Sequence, residues 1–272
     1  RALATTALRR PAAVQTTLDA NPRGGVMVRH QVAGEGYLVL PLFLDARAEG
    51  YMGMVRLERE VSDAFLQTLD LGPGTLRVRW PDGSGREIDL RYWSDWDGEP
   101  EYGPGVDWDF IPSLTLLAER PYWRDLVPVT YVREYSEPVD FYNPFLSISS
   151  GRVIGATTLV NPGQVTAWPE WTVTGPLTEL AATNLTTGES FTLDATWTGN
   201  GGLGVGETVT IRTDPVEVRG PDNSPWLGAI NLPGGVLWGL RRGTNSVEFV
   251  ASGADEGTRI ELRFHPLYRT AL

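Results

Sequence analysis

Arg259-Ile260-Glu261-Leu262-Arg263-Phe264 alternates charged and apolar residues without a break. Successive side chains of a strand point to opposite faces, so Ile260, Leu262 and Phe264 share one side and their charged neighbours the other. The pattern predicts a β-strand with one face in a core and one in water. Working back from it, segments rich in Val, Thr, Ile, Leu and aromatic residues recur at residues 152–160, 164–174, 178–185, 190–197, 208–213 and 245–251, with 258–265 the last of them. Gly and Pro, 31 and 20 of 272 residues, punctuate these segments. Short strands at this spacing, with no helical period among them, predict a β-sandwich or jelly roll over residues 137–272.

Residues 1–136 have a different character. Met54, Leu57, Val61, Ala64, Phe65 and Leu69 recur at three- and four-residue spacing with charged residues between them, which predicts one amphipathic helix over residues 54–69. Gly72-Pro73-Gly74 ends it. Strands are predicted at 26–32 and 37–46, a hairpin at 75–81 and 86–94 around Asp82-Gly83, and a further strand at 108–118. Within the hairpin, Leu76, Val78 and Trp80 alternate with Arg77 and Arg79, so one face is buried and the other carries arginine. Helical period and dense charge both stop near Ser136. The expectation is a mainly β chain of two domains: 1–136, with the helix, and 137–272.

Composition removes many chemistries. All 23 basic residues are Arg, and there is no Cys. A Schiff-base or phosphate-loop lysine, a Cys nucleophile, a disulfide and Cys-ligated zinc are therefore excluded. His30 and His265 are the only imidazoles, and each sits in or at the end of a predicted strand. There is no Gly-x-Ser-x-Gly elbow, and the Gly-rich stretch 199–206 lacks the Lys-Ser/Thr ending of a phosphate loop and reads as a hairpin loop. No catalytic, cofactor or metal residues are assigned, and no enzyme is expected. A formal charge of −11 opposes nucleic-acid binding. With no run of apolar residues long enough to span a membrane and no leader-like stretch, a soluble chain is expected. Starting at Arg1 instead of Met, the sequence is expected to lack some natural N-terminal residues.

The densest chemistry lies between residues 94 and 109. Asp95, Asp97, Glu99, Glu101, Asp107 and Asp109 occur there with no basic residue, interleaved with Trp93, Trp96, Tyr102 and Trp108. Such a loop can be a solvated acidic surface or subunit contact, a sugar site in which rings stack and carboxylates supply acid and base, or a cation site. Together with the opposite charges of Arg77 and Arg79, these six acids are the candidate residues for contact between identical subunits.

The order of segments resembles the distal tail proteins of long-tailed bacteriophages with non-contractile tails. In the first part the resemblance rests on the helix, the hairpin at 76–92, the strand near 108–118 and Arg120-Pro121-Tyr122-Trp123-Arg124-Asp125. In the second it rests on Asn161-Pro162-Gly163, Trp168-Pro169-Glu170-Trp171-Thr172-Val173-Thr174-Gly175-Pro176 and Asn184-Leu185-Thr186-Thr187-Gly188-Glu189. It continues through residues 206–214, Gly243-Thr244-Asn245-Ser246-Val247 and residues 259–272, so most of the chain is covered. One departure is Arg212, where that family often has an acidic residue before the Thr. The resemblance implies a tail-tube-like first domain, a galectin-like second domain and a hexameric ring at the distal end of the virion tail, assembled in the host cytoplasm. It further implies as partners the tail tube protein, tail tip or baseplate proteins and the tape measure protein, with a channel for DNA but no sequence-specific nucleic-acid binding and no membrane. A carbohydrate-binding tail protein contacting host wall sugar is the alternative.

Overall fold

A computed structural model describes residues 8, 14–96, 107–135, 153–232 and 234–272. The chain divides into two compact units, Arg1–Leu126 with Tyr268–Leu272, and Val127–Leu267.

The first unit opens with a hairpin, β1 (Val14–Ala20) and β2 (Val26–Ala33), which forms a two-stranded sheet of its own. Next come β3 (Gly36–Asp45), α1 (Gly50–Asp70), β4 (Gly74–Arg79), β5 (Gly85–Ser94), β6 (Trp108–Ala118) and β7 (Trp123–Asp125). With β17 (Leu267–Tyr268), these strands make a six-stranded sheet in which β5 is central, pairing with β4 and β7 over its first half and with β6 over its second. Strand β3 is an edge, bonded to β6 alone. Its alternation sends Leu38, Leu40 and Leu44 into the core with Ile88, Leu90, Leu114 and Leu116. Met54, fully buried, packs into that core from α1, flanked by half-buried Leu57, Val61 and Phe65. Two expected stripe residues lie outside it: Ala64 and Leu69 are exposed, because the buried line advances through Met54, Leu57, Val61, Phe65 and Thr68 and leaves those two a turn's edge away. The expected stop holds, with Gly72 at φ +101° just after the helix.

The last residues of the chain return to this unit. The Arg86 guanidinium lies 3.6 Å from the Tyr268 ring centroid and donates to the Thr270 carbonyl at 2.8 Å. The Tyr268 hydroxyl donates to Asp125 Oδ2 at 3.1 Å, and Ala271, fully buried, donates its N–H to the Leu8 carbonyl at 2.9 Å.

The second unit packs two antiparallel sheets over one core. One has the order β14 (Val216–Arg219), β13 (Thr208–Thr213), β10 (Glu170–Thr174), β16 (Arg259–Phe264), β8 (Val129–Glu134). The other runs β12 (Glu189–Asp194), β11 (Glu179–Asn184), β15 (Gly243–Ser252), β9 (Val153–Asn161). Trp171, Val173, Ile211, Ile260 and Leu262 from the first sheet meet Leu180, Phe191, Val247 and Phe249 from the second. Three buried asparagines hold the loops around this core. Asn161 Nδ2 donates to the carbonyls of Val165 and Leu240, Asn184 Nδ2 to Gly239, and Asn245 Nδ2 to Arg241 and Gly243.

Three sequence expectations need correction. The division falls at Leu126, not at 136, because β8 pairs with β16, Glu134 opposite Arg259 and Val129 opposite Phe264; residues 136–143, where composition changes, lie outside the described residues. The expected strand 164–174 begins only at Glu170, after Pro169, while Ala167 makes an isolated bridge to Leu240. Residues 199–206 are not a hairpin loop, since β12 and β13 belong to different sheets and the segment crosses between them, held by Leu203 and Leu177 exchanging backbone hydrogen bonds at 2.8 and 3.1 Å.

Candidate functional site

Strand register decides what the predicted interface residues do. Pairing of β4 with β5 sets Arg77 opposite Glu87 and Thr75 opposite Asp89, and pairing of β5 with β7 sets Arg124 opposite Glu87. Arg77 Nε therefore donates to Glu87 Oε2 at 2.6 Å, while Arg124 donates to the other Glu87 oxygen at 2.6 Å and clamps both oxygens of Asp89 at 2.6 and 2.9 Å. Thr75 Oγ1 adds a bond to Asp89 Oδ1 at 2.8 Å. Burial pushes both carboxyls up, but hydrogen bonds from Arg124, with Arg77 on Glu87 and Thr75 on Asp89, outweigh it and hold both below the ordinary range. Arg77 is thus engaged within its own sheet. Arg79, opposite Gly85, is exposed.

Of the acidic candidates, Asp97, Glu99 and Glu101 lie outside the described residues. Asp95, at φ +68°, accepts from Thr115 Oγ1 at 2.6 Å and Ser94 Oγ at 2.9 Å, which lowers its pKa. Asp107 gives its carbonyl to the Ala46 N–H at 2.8 Å. Asp109 Oδ1 accepts the Phe110 N–H at 2.7 Å. Across from it on α1, Glu58 is pushed up, first by burial and then by the charge of Asp109. Asp107 and Asp109 thus flank the start of β6, and Asp95 follows the end of β5. Among the described residues no group of three or more His, Asp or Glu could hold a metal ion, and no helix is long and apolar enough to cross a membrane.

Two surfaces of the first unit that expose apolar side chains were missed in the sequence. In the β1–β2 hairpin, Leu18 faces Val28 and Ala20 faces Val26, while Thr17 faces His30 on the other side, where Arg29 Nε meets Asp19 Oδ2 at 2.7 Å. The Leu18 face also carries Val14 and the hydrogen-bonded pair Thr16 and Gln31, and the Thr17 face carries exposed Met27 and Val32 beside Gln15 and Asp19. The second surface is the sheet face turned away from α1, which presents Tyr37 and Val39 from β3, Trp93 from the β5 bulge, and Trp108 and Phe110 from β6, all exposed. Tyr37 meets Trp93 edge-on at 5.6 Å, and Phe43 stacks on Trp108 at 5.7 Å. The available signal was the odd-numbered alternation Tyr37, Val39, Phe43, apolar on the side opposite the leucines; a strand apolar on both sides has two faces to cover.

The second unit carries a groove on its five-stranded sheet, lined by Trp168, Glu170, Arg212, Asp214, Arg263 and His265 among others. Glu170 stands opposite Arg212 on one side and Arg263 on the other. Arg212 reaches Glu170 at 3.2 Å and Glu217 at 3.1 Å. Half-exposed Trp168 offers an indole face at the groove edge.

The fold has a known counterpart. The crystal structure of the SPP1 Dit (gp 19.1) protein, described as a paradigm of the hub adsorption apparatus in phages infecting Gram-positive hosts, matches with a TM-score of 0.65 over 94% of this chain and 89% of that one. Sequence identity is 10%, so the likeness is one of fold. No family model and no curated protein matches the sequence.

Proposed function

We propose that the chain is a structural, non-enzymatic component of a bacteriophage virion. In this reading it is a distal tail hub whose six copies close into a ring, join the tail tube to the tip or baseplate, and leave a channel for DNA. The observation that carries it is the fold likeness to the SPP1 hub protein over 94% of the chain, which spans both units. The first unit forms the ring, with Arg79 and the acids Asp95, Asp107 and Asp109 near the contact. Tail tube, tip or baseplate and tape measure proteins are its partners. A net charge of −11 per copy suits a channel wall, since like charge keeps DNA phosphate from binding as it passes. The test is the mass of the purified protein by light scattering together with negative-stain images. Six chains of 29.9 kDa weigh about 180 kDa and give six-fold rings; a monomer at every attainable concentration overturns the proposal.

The groove beside Trp168 favours a second reading, sugar binding by the second unit. It places an exposed indole face beside Arg and Glu side chains able to bond vicinal hydroxyls, and His265, just outside the sandwich strands, joins it. Calorimetric titration with cell-wall oligosaccharides tests it: heat lost in Trp168→Ala supports this reading, and no heat with the unaltered protein removes it.

A further inference from the structure

We infer that the outer face of the five-stranded sheet is a two-subsite cleft for an uncharged glycan chain, with one sugar against Trp168 and the next beyond Glu170 and Arg212, beside Asn223. The inference rests on the sugar-binding reading of the second unit and adds the length and the charge of the ligand.

Strand register lays out that face. Glu217, Arg212, Glu170 and Arg263 stand side by side across β14, β13, β10 and β16, and Arg219, Thr210, Thr172 and Glu261 form the next row. Thr208, Thr174, Arg259 and Glu134 make the third, which reaches β8. Strand β8 extends the first row with Thr130 and the second with Val132, the one apolar side chain of the three rows. Arg212, Arg219, Arg259 and Arg263 are balanced by Glu134, Glu170, Glu217 and Glu261. A face with so little apolar surface gives a protein partner no hydrophobic anchor, and balanced charge selects neither a polyanion nor a polycation. What it offers at high density is hydrogen-bonding groups, the complement of an uncharged polyhydroxyl chain.

Its side chains are held before any ligand arrives. Arg212 spans Glu170 and Glu217, Arg219 Nε donates to Glu217 Oε1 at 2.7 Å, and Arg219 Nη1 donates to the Asn223 carbonyl at 3.2 Å. Groups fixed in this way lose less freedom on binding, and their remaining N–H donors and carboxylate lone pairs stay open to hydroxyls.

Two hollows open on this face, and Glu170 and Arg212 line both. One, of about 410 Å³, runs past the start of β10 to the half-exposed indole of Trp168. The other, of about 420 Å³, runs over Thr210 toward Arg219 and Asn223. Each has the size of a small-ligand site, and the shared wall makes them neighbouring subsites of one cleft. A sugar ring stacks on the indole in the first, and a chain continuing over Glu170 and Arg212 enters the second. Filling the second subsite is then an intramolecular step, so affinity rises with chain length.

The test is calorimetric titration of the full chain with cell-wall oligosaccharides, separated by length from one sugar to six and by charge into neutral and phosphate-bearing pools. The neutral four-sugar fraction should bind at least about tenfold more tightly than the neutral single sugar, and the phosphate-bearing pool no more tightly than the neutral one. Thr210→Val keeps the strand's branched shape, and Asn223→Gly keeps the φ of +62° at that position without strain. Both should bring four-sugar affinity down toward that of the single sugar while single-sugar binding and the thermal midpoint stay unchanged; Trp168→Ala should weaken both fractions. Equal affinity for one sugar and four, or full four-sugar affinity in both Thr210→Val and Asn223→Gly, overturns the two-subsite cleft and leaves sugar binding by the groove standing. Tighter binding of the phosphate-bearing pool overturns the uncharged ligand. No heat from any pool with the unaltered protein removes the sugar reading and the cleft together.

Discussion

Trp171 is fully buried and meets Phe191, Trp238 and Phe249 edge-on, with ring centroids at 5.2, 4.8 and 5.8 Å. Edge-to-face geometry at these distances adds to its burial, and no smaller residue can keep the three contacts at once. Trp171→Ala should therefore cost about 3–5 kcal/mol in urea unfolding followed by circular dichroism. Its Nε1 is buried without a hydrogen-bond partner, so Trp171→Phe removes an orphaned donor and should cost clearly less. Phe65 in the helix makes a contrast. From the sequence it was expected in the core, but it is half-buried, so Phe65→Ala should cost about 1–3 kcal/mol, below the range for a buried ring. A loss as large as that of Trp171→Ala would contradict the burial assigned to it. The same scale explains Gly220, where a Cβ would stand 2.2 Å from Trp226 Nε1. Gly220→Ala should push the indole from its site and lower stability by about 1–3 kcal/mol, read in the same unfolding assay. The sequence shows a Gly and a Trp six positions apart; their collision depends on a turn between β14 and the following short helix that no periodicity reveals.

At the scale of elements, β4, β5 and β7 are tied across their outer face by Arg77, Glu87, Arg124 and Asp89. Burial raises both carboxyls, and the hydrogen bonds from Arg124, with Arg77 on Glu87 and Thr75 on Asp89, lower them by more, so their folded pKa values lie below the unfolded ones. A group depressed in this way stabilises the fold above its unfolded pKa and loses that contribution as pH falls through the folded value. Stability of the first unit should then decline below about pH 4 in thermal melts. Arg124→Met removes the shared donor, leaves Glu87 and Asp89 nearer their burial-raised values, and should move the acid decline to higher pH; an unmoved pH profile would show that Arg124 does not hold them. The alternation of Leu76, Val78 and Trp80 with Arg77 and Arg79 announced this wet, arginine-bearing face. It could not say that Arg77 is spent on Glu87 while Arg79 faces solvent, because that depends on register. The bulge that turns Trp93 outward is equally a matter of pairing, since Tyr92 opposite Leu116 points in and Ser94 takes the place opposite Thr115.

For the whole molecule, the division at Leu126 gives a direct prediction. Residues 127–267 contain every strand of the sandwich, so that fragment alone should unfold cooperatively in a calorimeter. A fragment of residues 137–272 lacks β8, exposes the edge of β16 and strips cover from Phe264, which stacks on Tyr131 at 6.3 Å. It should melt lower than 127–267, and equal melting would show that β8 adds nothing to the second unit. The sequence by itself determined the class of the protein, because alternation and three- to four-residue spacing are local patterns that set which side chains share a face. It determined which chemistries are absent as well, since a chain without Lys or Cys cannot perform what those groups perform. Only the tertiary structure decided that β8 joins β16, that Tyr268 comes back to Arg86, and that an aromatic sheet face is left without cover among the described residues. These are choices between partners far apart in the chain. The same alternating strand satisfies many registers equally well, and the packing of the whole core selects among them.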